Sequence, residues 1–227
     1  MNAPKRALTL VEVAVAMTVF LIVAAGMASL VGSTATSSNV VLTSTDVQVD
    51  AERILAEVRR ELSLTGAGSS SPGNLVVTGG PAPPVEIAYN VIDQGDIFDE
   101  TAPNPAQSVP WKPDRFFLSF EAEPGEDPTN GLDDDGDFLV DEVRLALYRQ
   151  PPAGARSLIK VVGEGLVDVQ VETTGGTLPG RERVHVRFAR ERVQRHLIAS
   201  NTDLAAAQAG GGPRVRHTVD VYITPPN

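Results

Sequence analysis

The sequence predicts an α+β protein in which one long N-terminal helix, transmembrane and then amphipathic, packs on antiparallel β-sheets. Three patterns predict it. From Leu8 to Val31 the only ionisable side chain is Glu12. A helix-period apolar stripe follows. After Pro72 the hydrophobic period shortens to two, and glycine and proline become frequent.

The apolar run is long enough to cross a membrane, which takes about 20 helical residues. Lys5 and Arg6 precede it and hold the head of the chain on the cytoplasmic side. A cleaved signal peptide is the competing reading, with Ser33-Thr34-Ala35 as its small-residue site. Against it stand the length of the run and the glutamate near its start. A carboxylate near a membrane is costly unless paired or interfacial, so Glu12 calls for a partner.

Beyond the small polar segment from Ser33 to Asn39 the helical period returns. Val47, Ala51, Ile54, Leu55, Val58 and Leu62 recur at three and four residues, and Asp50, Glu52, Arg53, Glu57, Arg59, Arg60 and Glu61 fill much of the rest. This stripe is predicted to pack on a domain core. Thr65-Gly66-Ala67-Gly68 and the Ser/Pro/Gly segment after it end the helix. A helix continuous from Leu8 to Leu64 spans about 85 Å at 1.5 Å per residue.

The remainder reads as strands: Asn74–Thr78, Val85–Val91, Arg115–Glu121, Leu139–Arg149, Ser157–Val162, Leu166–Glu172, Arg183–Ala189 and Arg214–Thr224. Phe116, Leu118 and Phe120 share one face of their strand. Val167, Val169 and Val171 alternate with Asp168, Gln170 and Glu172, as Val184, Val186 and Phe188 do with His185 and Arg187. Alternation of this kind marks sheets with one buried and one wet face. No second long amphipathic helix alternates with the strands, which argues against a doubly wound fold. Within Arg190–Gly212, polar and then Ala/Gly-rich, either a short helix around Asp203–Gln208 or a mobile loop is expected.

Composition narrows the function. The formal net charge of -10, with no Lys/Arg cluster, argues against nucleic acid as a direct partner. The absence of cysteine excludes disulfides, thiolate metal sites and cysteine nucleophiles. His185, His196 and His217 lack metal-ligand spacing, and no nucleophile elbow, phosphate-binding glycine loop or zinc-protease motif is present. The expectation is a protein that is not an enzyme.

One loop stands out. Within residues 127–142, Asp133, Asp135 and Asp137 alternate, Gly136 permits a tight turn, and Asp141 follows four residues later. Calcium takes six to eight hard oxygens from flexible loops. The segment resembles the Asp-x-Asp-x-Asp-Gly calcium loops of repeat and adhesion proteins. It is not an EF-hand, because the glycine falls at the fourth place and Arg144 stands where the bidentate glutamate belongs. The expected ligands are Asp133, Asp135, Asp137 and Asp141, supported by Asn130 and the Leu139 carbonyl. Asp134 is expected to face water, and Glu142 is a further oxygen source. A merely solvated acidic loop is the alternative.

The segment Lys5-Arg6-Ala7-Leu8-Thr9-Leu10-Val11-Glu12, followed by the apolar run, resembles the processing site of type IV prepilins and type II secretion pseudopilins. In that family a basic leader ends in glycine, and phenylalanine, Thr-Leu-Ile-Glu and a long apolar helix follow. Here Ala7 stands for the glycine and Leu8 for the phenylalanine. The resemblance implies cleavage between Ala7 and Leu8 by a prepilin peptidase, with methylation of the new amine. It divides the chain into a leader (1–7), a transmembrane and filament-core helix (8–32), an amphipathic continuation (33–65) and a β-rich periplasmic domain (66–227).

Within the family, Leu147-Tyr148-Arg149, then Ser157–Val162, then Gly165-Leu166-Val167-Asp168-Val169-Gln170-Val171 resemble the J-type pseudopilins and PilW-like minor pilins. The resemblance implies a minor pilin or pseudopilin in the inner membrane, acting at a filament tip or in initiation. Its partners would be other pilins, the peptidase and an assembly platform, with Glu12 serving assembly. The alternative is a single-pass anchored periplasmic domain that binds in a calcium-dependent way.

Overall fold

The structure is a computed structural model that describes residues 9–63, 65, 75–80, 83–93, 111–127, 129–175, 182–194, 205–206 and 211–224. The Ala7–Leu8 bond lies outside these residues. One helix, α1 (Leu10–Ser63), is followed by seven strands: β1 (Val76–Gly79), β2 (Val85–Ile92), β3 (Trp111–Ala122), β4 (Val143–Gln150), β5 (Ser157–Gly175), β6 (Glu182–Val193) and β7 (Arg214–Ile223). Residues 205–206 are helical, within the short helix expected there. The chain divides into two compact units, the first ending at Leu42 and the second starting at Thr43.

From Leu10 to Gly32 α1 is apolar around its circumference apart from Glu12, and it is largely exposed. Leu10, Phe20, Leu21, Ile22, Leu30 and Val31 are each more than three-fifths exposed. A helix hydrophobic all round belongs in a core or a membrane, and this one is long and apolar enough to cross a membrane by length and composition. The Ser/Thr residues are poor helix formers in water. Here the hydroxyls of Thr18, Ser33, Thr34 and Thr36 donate to backbone carbonyls three or four residues back, at 2.9 to 3.0 Å. Their polarity is thereby satisfied within the helix.

The second unit sets the rest of α1 against a curled sheet. The sheet is a pure antiparallel meander, β1-β2-β3-β4-β5-β6-β7, each strand bonded to its chain neighbours. Val47, Ala51, Ile54, Leu55, Val58 and Leu62 are all buried, and Glu61 is buried with them. Ala51, Ile54, Leu55, Val58 and Leu62 meet the inward residues Val85, Ile87, Leu118, Phe120, Leu145, Val169, Val186 and Phe188 in one core. The strand alternation read from the sequence is the alternation of burial, with Val184, Val186 and Phe188 inside and His185 and Arg187 on the wetter face.

Four elements differ from the sequence reading, among them β6, which runs four residues past Ala189 to Val193. β4 begins at Val143, because residues 139–142 belong to the acidic loop. β3 begins four residues earlier than Arg115. The two short strands expected at 157–162 and 166–172 form one strand, β5. Its first half pairs with β4 and its second half with β6, and the register shifts between. Gly165 (φ +61°) and Asp168 (φ +52°) take left-handed conformations at this change of partner, as bulged strands do. Gly163 lies against the helix. A Cβ there would come within 2.3 Å of the Ile54 Cδ1, so only glycine lets α1 approach.

Buried Glu61 is paid for locally. Its carboxylate accepts from the Tyr89 hydroxyl at 2.9 Å and from Arg60 at 2.8 Å. Burial, then the neighbouring Glu61 charge, pushes the Tyr89 hydroxyl well above its ordinary range. Glu57 adds ion pairs to Arg60 and Lys160, tying α1 to β5.

Candidate functional sites in the first helical turn and the acidic loop

Glu12 has a partner within its own chain. The Thr9 amide donates to Glu12 Oε2 at 2.8 Å and the Thr9 hydroxyl to the same oxygen at 2.9 Å, while the Glu12 amide points back to Thr9 Oγ1 at 3.3 Å. This is a capping box, Thr at the cap and Glu three residues on, which satisfies helix-end amides that otherwise lack partners. The spacing Thr9-x-x-Glu12 is legible in the sequence as a helix start, a signal that a search for a charged partner passes over.

The acidic loop runs from β3 to β4 and is knotted by carboxylates bonded to backbone amides. Asp133 takes the amides of Gly136 at 2.6 Å and Phe138 at 3.0 Å. Asp135 takes Asp137 at 3.0 Å, and Asp137 takes Leu139 at 2.8 Å. Asp141 Oδ1 accepts from Gly131 at 2.9 Å. Asn130 is spent inside the loop, donating to Asp134 and accepting from Leu132, both at 2.7 Å. Asp134 is exposed and also accepts from the Asp127 amide at 3.1 Å. Gly125, Gly131 and Gly136 adopt positive φ, and so do the non-glycine residues Phe138 (77°) and Asp141 (57°).

Beneath these turns sit two buried carboxyl groups. Glu126 is buried; its Oε1 accepts the amides of Asp134 and Asp135, both at 2.9 Å, and its Oε2 is buried with no hydrogen-bond partner. Glu142 is only 2% exposed, and neither of its oxygens has a partner. Burial first, then the charge of Asp137, pushes the Glu142 carboxyl up to about 9. Burial likewise raises Glu123, against the lowering effect of its bond from the Gly165 amide. A cavity of about 560 Å³ opens beside the loop, lined by Glu123, Asp137, Leu139, Glu164, Arg190 and Glu191 among others.

The carboxylates of Glu126, Asp133 and Asp135 offer oxygens that all lie within 4.8 Å of one another, a cluster that can hold a cation. The orphaned Glu126 Oε2 fits that use, since a metal supplies the positive partner that a buried carboxylate otherwise lacks. Asp133 and Asp135 are two of the expected ligands. Of the other expected carboxylate ligands, Asp137 and Asp141 are outside that cluster. Glu126 went unnoticed in the sequence because it precedes the alternating aspartates by seven residues and carries no pattern of its own. Arg144 turns away to Glu121, at 2.7 Å, and the Phe138 carbonyl accepts from Arg214 at 3.0 Å, so β7 also braces the loop.

The two described histidines lie on the sheet and contact neighbours on the sheet or on α1. His185 contacts Asp220 at 2.7 Å and stacks on Tyr222, and His217 lies 3.9 Å from Glu52. His196 lies outside the described residues.

Residues 2–28 match the prokaryotic N-terminal methylation motif. No curated protein and no solved structure matches the chain. A long N-terminal helix on a curled antiparallel sheet is a pilin-like architecture. Together the methylation motif and the pilin-like α+β fold support the broad pilin and pseudopilin superfamily.

Proposed function

We propose that this chain is a minor subunit of a type IV pilus or type II secretion pseudopilus, held in the inner membrane by α1 with its β-rich domain in the periplasm. The observation that carries the reading is the first unit of α1. It is a helix with no apolar partner among the described residues, exposed around its circumference, whose one carboxylate stands in its first turn. Lipid satisfies such a surface before assembly, and the helices of neighbouring subunits satisfy it in a filament. A role at the tip or in initiation rests on the resemblance of residues 147–171 to the J-type and PilW-like subunits. Other pilins, a prepilin peptidase and an assembly platform are the partners, and calcium is the cation assigned to the acidic loop.

On this reading cleavage falls between Ala7 and Leu8, and Glu12 then pairs with the methylated amine of a neighbouring subunit. Glu12→Gln is the test. Glutamine serves a capping box as glutamate does, so the helix start survives and only the charge is lost. The expected outcome is normal insertion and a mature chain beginning at Leu8 by intact mass, with markedly reduced crosslinking to partner subunits. Undiminished crosslinking overturns the assembly role, and a chain beginning near Thr36 or at Met1 overturns the filament reading.

A further inference from the structure

Two observations mark the Glu126–Asp133–Asp135 cluster as a cation position. Its three carboxylates converge to within 4.8 Å. Glu126, only 8% exposed, buries an Oε2 that has no hydrogen-bond partner. The amides of Asp134 and Asp135 already fill Oε1, so Oε2 is the oxygen left for an ion. Asp133 has a second duty besides facing that ion. Its Oδ2 accepts the Phe138 amide at 3.0 Å. A carboxylate oxygen has two lone pairs, so this bond leaves one for a metal.

Phe138 is held from its other side as well. Its carbonyl accepts from Arg214, the first residue of β7, at 3.0 Å. Between the two bonds its backbone is left-handed (φ +77°), a conformation that a bulky residue avoids unless it is constrained. Arg214 also pairs with Glu191 of β6 at 3.4 Å, and both side chains are largely buried. β7 is the last strand of the sheet and is bonded to β6 alone. A strand with one neighbour opens more easily than a central one, so its hold on the domain depends on such side contacts. A chain of named contacts therefore runs from a cation ligand, Asp133, through Phe138 to the edge of the sheet.

We propose that the cation held by Glu126, Asp133 and Asp135 fastens β7 to the domain through Phe138 and Arg214. This rests on the cation-binding reading of the loop and gives that site a task, control of how firmly the edge strand is held. The physical reason is a difference between two arrangements of the loop. Without a cation the three carboxylates repel at this separation, and Asp133 is relieved by turning away, which releases the Phe138 amide. A divalent ion binds the converged arrangement, the one in which Phe138 is gripped. It shifts the loop toward that arrangement by its difference in affinity for the two. Linkage makes the effect reciprocal: Arg214, by holding Phe138, strengthens cation binding by the same factor.

Hydrogen exchange on the detergent-solubilised full chain, in millimolar calcium and in a calcium chelator, is the first measurement. Calcium is expected to slow the amides of Val215–Val221 about tenfold, while those of β2 change much less. The second is calcium affinity by equilibrium dialysis. Arg214→Met is expected to weaken it about fivefold to tenfold. Arg216→Met, which removes the neighbouring pair between β7 and Asp168, is expected to leave it at the wild-type value. Calcium that binds yet slows only the loop overturns the proposal and leaves the cation site standing. So does calcium that slows every strand alike, as global stabilisation does. Arg214→Met at wild-type affinity overturns it too, since a residue that merely held β7 to Glu191 would give that result. A wild-type chain that retains no calcium removes the cation site and the proposal with it. The exchange measurement needs no variant, so it decides even where Arg214→Met fails to fold.

Discussion

The two ends of α1 are the same secondary structure with different surfaces. Up to Gly32 the helix is apolar around its circumference and largely exposed. From Thr43 on it carries a single buried stripe, Val47 to Leu62, with charged residues between. Backbone hydrogen bonding does not distinguish the two halves, and neither does the type of apolar residue, since both draw on Val, Leu, Ile and Ala. What differs is where they recur. A stripe is a statement about one partner surface; a full circumference is a statement about a surrounding medium. The chain thus encodes two environments in one unbroken helix.

The sharpest way to break this comparison is to place the same change in both halves. Val58→Asp puts a carboxylate at a fully buried position facing the sheet. It is expected to cost the second unit about 4 kcal/mol or more and to lower its thermal midpoint strongly. Val19→Asp is expected to leave that midpoint unchanged while costing about 2.5–3.5 kcal/mol in membrane insertion. Equal effects of the two on the melting of the β-rich unit would mean that the first half is part of the same core.

A smaller effect sharpens how the second half docks. Gly163→Ala drives a methyl into Ile54 and is expected to destabilise by about 1–3 kcal/mol. In an Ile54→Ala background, which alone costs about 2–5 kcal/mol, the added penalty should shrink, since the two changes share one space. Strict additivity in denaturant titrations would show that the contact does not limit docking.

The smallest concerns the polar member of the stripe. Tyr89→Phe removes the hydroxyl that Glu61 Oε2 accepts from, leaving Arg60 on the other oxygen. A loss of about 1–3 kcal/mol is expected, from an orphaned buried acceptor. A neutral result would mean that Glu61 reaches water without help.

Local period determined much of this protein. The six apolar positions of the stripe, the limits of the apolar run, and the inward faces of Phe116–Phe120, Val167–Val171 and Val184–Phe188 follow from spacings of three to four or of two residues, which any short window contains. The capping box at Thr9 and Glu12 was in the sequence as well. The tertiary structure alone decided the rest. It joined two apparent strands into β5, because the bulge that changes its partner looks like a turn when read along the chain. It buried Glu61 against Tyr89, Glu126 under the turns of the loop, and Glu142 just before β4. A glutamate in a polar stretch reads as solvated until the fold sets it far from water, and that distance comes from residues remote in sequence: Tyr89 for Glu61, Gly165 and Arg190 around Glu123, and Arg214 bracing Phe138. Patterns of side-chain recurrence are local quantities; desolvation is a property of the whole packed unit.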